Sequence, residues 1–165
     1  MRERIVVLDF GGQYNQLIAR RVREAGVFSE LIPHSAPIAR IKGDCLSGII
    51  LTGGPDSVYE ANAKTCTDEI FSLDVPILGI CYGMQYIAKR FGGAIASTDV
   101  KEYGRTPISC SPHPLLAGLG GVVWMNHNDS VTGLPDGFAS IAHTEHCPVA
   151  AFANDTLRLY GIQFH

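Results

Sequence analysis

The 165-residue chain has no apolar run long enough to span a bilayer, no block of like charge, and no Pro/Gly/Ser-rich stretch that would mark a linker. Its opening, Met1-Arg2-Glu3-Arg4 followed by Ile5 to Leu8, reaches Asp9 too soon for a signal peptide. A single domain that does not enter the membrane is expected. The five cysteines, Cys45, Cys66, Cys81, Cys110 and Cys147, are odd in number and include no C-x-x-C pair. That argues against a disulfide framework and a cysteine zinc site, and fits a reducing cytoplasm. Basic residues form no patch and the formal net charge is -3, so nucleic-acid binding is unsupported. Arg20, Arg21 and Arg23 are the densest basic group, but they share a helical pattern with Leu17, Ile18, Val22 and Ala25 and read as a solvated or partner-facing surface.

What the chain does have is Gly79-Ile80-Cys81-Tyr82-Gly83, a thiol between two glycines. Val75 to Ile80 reads as a short buried strand; Met84, Ile87, Ala88 and Phe91 recur at helical spacing before Gly92-Gly93. The cysteine therefore belongs in a sharp strand-to-helix turn, a nucleophile elbow with Cys in place of Ser. Such a turn strains the backbone and leaves little room for flanking side chains, which suits glycine. The helix N-terminus is expected to favour thiolate over thiol and to offer amides to an oxyanion. A buried, inert cysteine flanked by small residues is the competing reading, so the motif needs support from elsewhere.

A thiol nucleophile needs a base that is near in space and usually remote in sequence. Tyr160-Gly161-Ile162-Gln163-Phe164-His165 is an apolar strand that delivers a histidine, whereas His34, His113, His143 and His146 lie in turn-rich or polar segments. Thr52-Gly53-Gly54-Pro55-Asp56-Ser57 is either a turn presenting a glycine N–H, a phosphate cradle, or a plain Gly-Pro turn. Pro55 removes an N–H that a phosphate nest needs and no Walker lysine follows, which favours the first over the second. His143-Thr144-Glu145-His146-Cys147 packs three metal-ligand types into five residues, yet no partner pair is evident and an ordinary surface loop is expected. Met125-Asn126-His127-Asn128-Asp129 gathers hydrogen-bonding side chains after an apolar strand and reads equally as an Asx-type turn.

Along the chain, strands are expected at Ile5 to Phe10, Val27 to Ile32 and Gly48 to Thr52. Helices are expected up to about Ala25 and around Ala63 to Leu73. Strands alternating with helices imply a largely parallel sheet with binding loops at the carboxyl ends of the strands. Beyond Gly93 the pattern changes to short β-type runs at 121–125, 149–152 and 157–164, a β-rich extension.

Taken in order, Gly53-Gly54-Pro55, Gly79-Ile80-Cys81-Tyr82-Gly83-Met84-Gln85 and Gly161-Ile162-Gln163-Phe164-His165 resemble the three signatures of class I glutamine amidotransferase domains. The resemblance covers the whole chain. It implies a flavodoxin-like α/β fold, with a mostly parallel central sheet flanked by helices and β-rich extensions. It also implies that Cys81 attacks the side-chain amide of glutamine, that His165 shuttles protons, and that a γ-glutamyl thioester is then hydrolysed. By the same resemblance the N–H groups of Gly54 and Tyr82 form the oxyanion hole, and Gln85 with Asn126, His127, Asn128 and Asp129 holds the glutamine head group. Asp9 to Tyr14 with Leu17 to Arg21, Lys101 to Gly104 and Trp124 to Asp129 are similar to the branch whose ammonia converts XMP to GMP. That branch needs no cofactor in this domain and hands ammonia to an ATP pyrophosphatase (synthetase) domain or subunit that uses ATP and Mg²⁺. The family motif runs from the histidine to an orienting Glu two positions on, and this sequence stops at His165. Residues 1–165 are therefore expected to be an amidotransferase domain cut just after its histidine. A catalytically silent module, a γ-glutamyl cysteine hydrolase, and an amidotransferase for another acceptor are the alternatives.

Overall fold

In the computed structural model, which describes residues 2–165, the run Ile5-Val6-Val7-Leu8 forms the middle of β1 (Arg4–Asp9), and Val6, Val7 and Leu8 are wholly buried. A continuous apolar strand of this kind belongs in a parallel sheet covered on both faces. The chain continues through α1 (Asn15–Glu24), β2 (Phe28–Pro33), a short α2 (Ile38–Ile41), β3 (Leu46–Leu51), β4 (Ile77–Ile80) and α3 (Tyr82–Arg90). The second half is almost entirely strand: β5 (Ala94–Pro107), β6 (Ser109–Cys110), β7 (Val122–Gly133), β8 (Ala139–His143), β9 (Ala151–Asn154) and β10 (Leu159–Ile162).

Eight strands form one sheet in the order β2-β1-β3-β4-β10-β9-β8-β6. The first five are mutually parallel, while β9, β8 and β6 join antiparallel. Because β1 is followed by β2 on one side and β3 on the other, the strand order reverses at β1/β3, where open α/β sheets place their ligand crevice. The carboxyl ends of β1, β3, β4 and β10 carry Gly11 to Tyr14, Thr52 to Ser57, Cys81 and His165 to that one edge.

The fold class is as the sequence implies, with two local corrections. The helix expected around Ala63 to Leu73 is a single 3₁₀ turn, Asp68–Ser72, capped by Thr67 Oγ1 accepting from the Glu69 N–H at 3.4 Å. The chain before it bonds outward to α3 instead: the Tyr82 hydroxyl donates to the Lys64 carbonyl, and the Tyr86 hydroxyl pairs with both backbone groups of Cys66. Nor are the later strands all short. β5 and β7, of 14 and 12 residues, form a separate antiparallel ribbon. Its pairing lapses after Ser97 and resumes where Glu102 faces His127. Residues 126–129 are thus strand and not an Asx turn.

The main core joins Leu8, Ile49 and Leu51 of the sheet to Met84, Ile87 and Ala88 of α3, and a second cluster under the β-rich end contains Met125, Ile141, Ala151 and Phe164. None of the described helices is long and apolar enough to cross a membrane.

Candidate active site

Cys81 is the residue before the first turn of α3 and holds φ 55°, ψ -108°, a conformation that side chains disfavour. The surrounding backbone enforces it. The Cys81 N–H donates to the Ile162 carbonyl (2.8 Å), the Gly83 N–H to the Thr52 carbonyl (3.1 Å), and the Gln85 N–H to the Cys81 carbonyl (3.2 Å). A Cβ at Gly79 would fall 2.4 Å from the Gly83 backbone, and one at Gly83 would fall 2.3 Å from the Leu51 carbonyl oxygen. The two glycines are therefore steric requirements of strand–helix contact.

The thiol differs from its expected state. Burial pushes Cys81 up to about 11 from an ordinary value of 9.0, and Asp129 pushes the same way. The Tyr82 N–H and the Gln163 amide pull it down. Desolvation outweighs the helix N-terminus, so the resting group is a thiol. It accepts from Gln163 Nε2 at 3.4 Å and donates toward the Asn126 carbonyl at 3.9 Å.

β10 delivers His165 to the same spot. A Cβ at Gly53 would lie 3.5 Å from both Cys81 Cβ and His165 Cε1, so the two side chains flank one glycine. The His165 N–H donates to the Trp124 carbonyl (2.9 Å), and its ring lies 5.6 Å from that of Tyr14. Burial lowers its pKa from 6.5, and nearby His127 acts in the same direction, which favours a neutral imidazole.

A cleft of about 280 Å³ opens here. Gly53, Gly54 and Cys81, the wall segment Asn126 to Asp129, and Gly12 to Tyr14 all line it. Gly54 sits against Phe10, the residue after β1, so closely that a Cβ would come within 2.5 Å of the Phe10 carbonyl oxygen. Asp129 lines the cleft, and its carboxylate accepts from Ser57 Oγ (2.7 Å) and the Tyr59 hydroxyl (3.0 Å).

Other residues expected to touch ligand are turned partly inward. Gln85 Nε2 donates to the Asp129 carbonyl and to Gln163 Oε1, each at 3.0 Å, which makes it a brace between α3, β7 and the chain before His165. His127 has both ring nitrogens engaged, Nδ1 with the Asp129 carbonyl (2.9 Å) and Nε2 with Glu102 (3.0 Å). Asn128 accepts from the exposed Tyr103 hydroxyl. In the segment expected to be a surface loop, His143, Glu145 and His146 are exposed, but Thr144 and Cys147 are buried.

Sequence reasoning passed over Gln163, although a wholly buried glutamine two residues before a histidine on an apolar strand was a readable signal. It also passed over Glu102, whose burial depends on a ribbon partner that local pattern does not reveal.

Residues 6–165 match the family model described as glutamine amidotransferase class-I. The chain belongs to the class I glutamine amidotransferases. Among amidotransferase relatives, a glutamine-hydrolyzing GMP synthase of Clostridium perfringens is 52% identical over 168 residues, all of this chain and 33% of that one. One from Caldicellulosiruptor saccharolyticus is 51% identical over 166 residues, covering 99% of this chain and 32% of that one. The chain thus spans about a third of the length of these curated relatives. A Thermoplasma acidophilum crystal structure, provisionally named as one subunit of GMP synthase, is 33% identical with a TM-score of 0.88. The match covers 100% of this chain and 84% of that one. A Thermotoga maritima glutamine amidotransferase, 20% identical with a TM-score of 0.77 over 100% of this chain and 76% of its own, shares the fold.

Proposed function

We propose that this amidotransferase hydrolyses glutamine through Cys81 and supplies the ammonia for converting XMP to GMP on a synthetase unit that uses ATP and Mg²⁺. The observation that carries the reading is the meeting of Cys81 and His165 across Gly53 in a cleft. The acceptor is supported by the names of the relatives, since the triad chemistry is common to the family.

Glutamine enters with its α-ammonium toward the Asp129 carboxylate, an acceptor held by two neutral hydroxyls and, among the described residues, by no cation. Its side-chain carbonyl carbon then meets Sγ. As the S–C bond forms, the thiol proton passes to His165, whose lowered pKa keeps it ready to accept. The N–H groups of Gly54 and Tyr82 take the developing oxyanion; the Tyr82 N–H is among the groups that lower the pKa of the sulfur. His165 returns the proton to the leaving nitrogen, ammonia departs, and a γ-glutamyl thioester remains. Water, deprotonated by His165, cleaves it to glutamate. Gln85, Gln163 and His127 hold the wall and the sulfur in place. No cofactor enters this sequence of steps. The free cysteines suit a reducing cytoplasm.

Steady-state glutamate release from glutamine tests the reading. A complete synthetase releases glutamate from glutamine and one carrying Cys81→Ala does not, while the Cys81→Ala synthetase still forms GMP from XMP and free ammonia. Unchanged glutamate release by Cys81→Ala overturns the reading.

A further inference from the structure

Behind His127 of the cleft wall lie three buried polar residues, Glu102, Thr144 and Cys147, that the mechanism does not use. Glu102 Oε1 meets His127 Nε2 at 3.0 Å, and the Thr144 hydroxyl donates to Glu102 Oε2 at 2.6 Å while accepting from the Cys147 N–H at 3.0 Å. The side chains of His127 and Glu102 are 1% and 5% exposed, a costly place for charge unless it is held for a purpose. Glu102 stands where ribbon pairing resumes after its lapse, directly opposite His127. Thr144 follows β8 of the main sheet, so Glu102 is a peg between ribbon and sheet, which share no strand ladder.

The peg ends at the reacting groups. His127 Nδ1 can only donate to the Asp129 carbonyl and also lies 3.3 Å from Ser130 Oγ, while the 3.0 Å contact between Nε2 and Glu102 Oε1 holds a second proton between ring and carboxyl. The same carbonyl takes Gln85 Nε2, Gln85 reaches Gln163, and Gln163 reaches Cys81 Sγ. β7 also meets the thiol through the Asn126 carbonyl and the His165 backbone through the Trp124 carbonyl.

We infer that Glu102 is a positioning residue for glutamine hydrolysis: through His127 it fixes the Asn126 to Asp129 wall against Cys81. The inference rests on the function proposed above. Glu102, His127 and Cys147 do bring ligand atoms within 4.8 Å of one another, as a metal site would. Their nitrogen and oxygen atoms are already engaged by protein hydrogen bonds, and no buried side-chain N or O among the described residues lacks a partner, which fits a proton-linked network.

The test uses the whole chain and two alkylating reagents, a chloroketone analogue of glutamine that needs the head-group wall and iodoacetamide that does not. Wild type alkylates at Cys81 with the chloroketone preferentially and releases glutamate. Glu102→Gln keeps shape and replaces a carboxyl oxygen by an NH₂; it is expected to lower the chloroketone rate and kcat/KM for glutamine about tenfold, within the up to ~10²-fold that small misplacements cost, mainly through KM. Iodoacetamide reacts within twofold of wild type. KM does not depend on the fraction of protein folded, so a merely structural role leaves it unmoved. Glu102→Gln added to His127→Asn is expected to cost no more than His127→Asn alone, because the pair acts as a unit. Should Glu102→Gln fail to fold, Thr144→Val removes only its outer support and is expected to raise KM in the same direction by a smaller factor. Wild-type KM and chloroketone rates in the folded variants, with wild type active, overturn the positioning role alone. A wild type that releases no glutamate and shows no preference for the chloroketone overturns the proposed function and this inference with it. A stoichiometric zinc ion in the purified protein, lost with activity on chelation, replaces the network by a metal site.

Discussion

At the scale of the residue, Cys81 combines backbone strain with a protonated thiol, and each has a measurable consequence. With the thiol pushed up to about 11 and His165 lowered below 6.5, the working state is neutral thiol plus neutral imidazole. Protonating the imidazole removes the base, so kcat/KM for glutamine is predicted to rise with pH through a value below 6.5. It then stays flat until the α-ammonium of the substrate itself deprotonates, before the thiol ionises near 11. A pH–rate profile still climbing between pH 8 and 9 would show that a freely ionising thiol governs the reaction. The strain predicts an unusual stability order. Glycine normally loses about 0.5–1 kcal/mol to alanine, but φ 55°, ψ -108° at position 81 stores of order 1–3 kcal/mol in any residue with a Cβ. Both variants are inactive, and Cys81→Gly is predicted to be the more stable by about 1 kcal/mol in urea unfolding; a more stable Cys81→Ala would contradict the strained elbow. Gly54 offers no such clean variant, because any side chain there strikes the Phe10 carbonyl while altering the N–H.

At the scale of the element, α3 lies on β3 and β10 at glycine-limited distance. A methyl group at Gly83 meets the Leu51 backbone at 2.3 Å, and one at Gly161 meets Phe152 and Met84 at 2.6 and 2.7 Å. Gly83→Ala and Gly161→Ala are predicted to destabilise by about 1–3 kcal/mol or more, and to lower glutaminase activity by shifting the elbow. Gly120→Ala, with nothing within 4 Å, should stay within about 0.5 kcal/mol. Equal unfolding midpoints for all three would deny the close packing. The elbow was legible in the sequence because apolar period and glycine punctuation agree over Val75 to Gly93. The ribbon was not. β5 is mostly exposed and carries Asp99, Lys101, Glu102 and Arg105, while the inward positions of β7 alternate as Val123, Met125, His127 and Asp129. Two polar residues on the buried face disguise a period of two as a turn. The same disguise hid Glu102, which is covered by His127 from β7 and by Thr144 from the segment after β8.

At the scale of the whole molecule, the parallel half could be read from alternating strands and helices. The insertion of β10 beside β4 could not, because it joins segments some 80 residues apart that carry no mutual local signal. That pairing, Gly161 opposite Gly79, brings His165 to Cys81. Burial also sets a global pH response. Cys66, Cys81 and Cys147 are each pushed up from 9.0 to about 11 by desolvation. A raised folded pKa gives stability that is complete below 9.0 and is lost as pH rises toward about 11, since the unfolded chain releases its protons first. Urea midpoints are predicted to be level from pH 7 to 8.5 and to fall between pH 9 and 11. A midpoint unchanged at pH 10.5 would show the thiols to be solvated.

The covalent intermediate tests the central claim most directly. Glutamine mixed with the protein, quenched in acid and analysed by peptide mass mapping should show one glutamyl group on the Cys81 peptide, absent in Cys81→Ala. A glutamyl group on Cys66, Cys110 or Cys147, or glutamate release by a Cys81→Ala protein without any adduct, would contradict it.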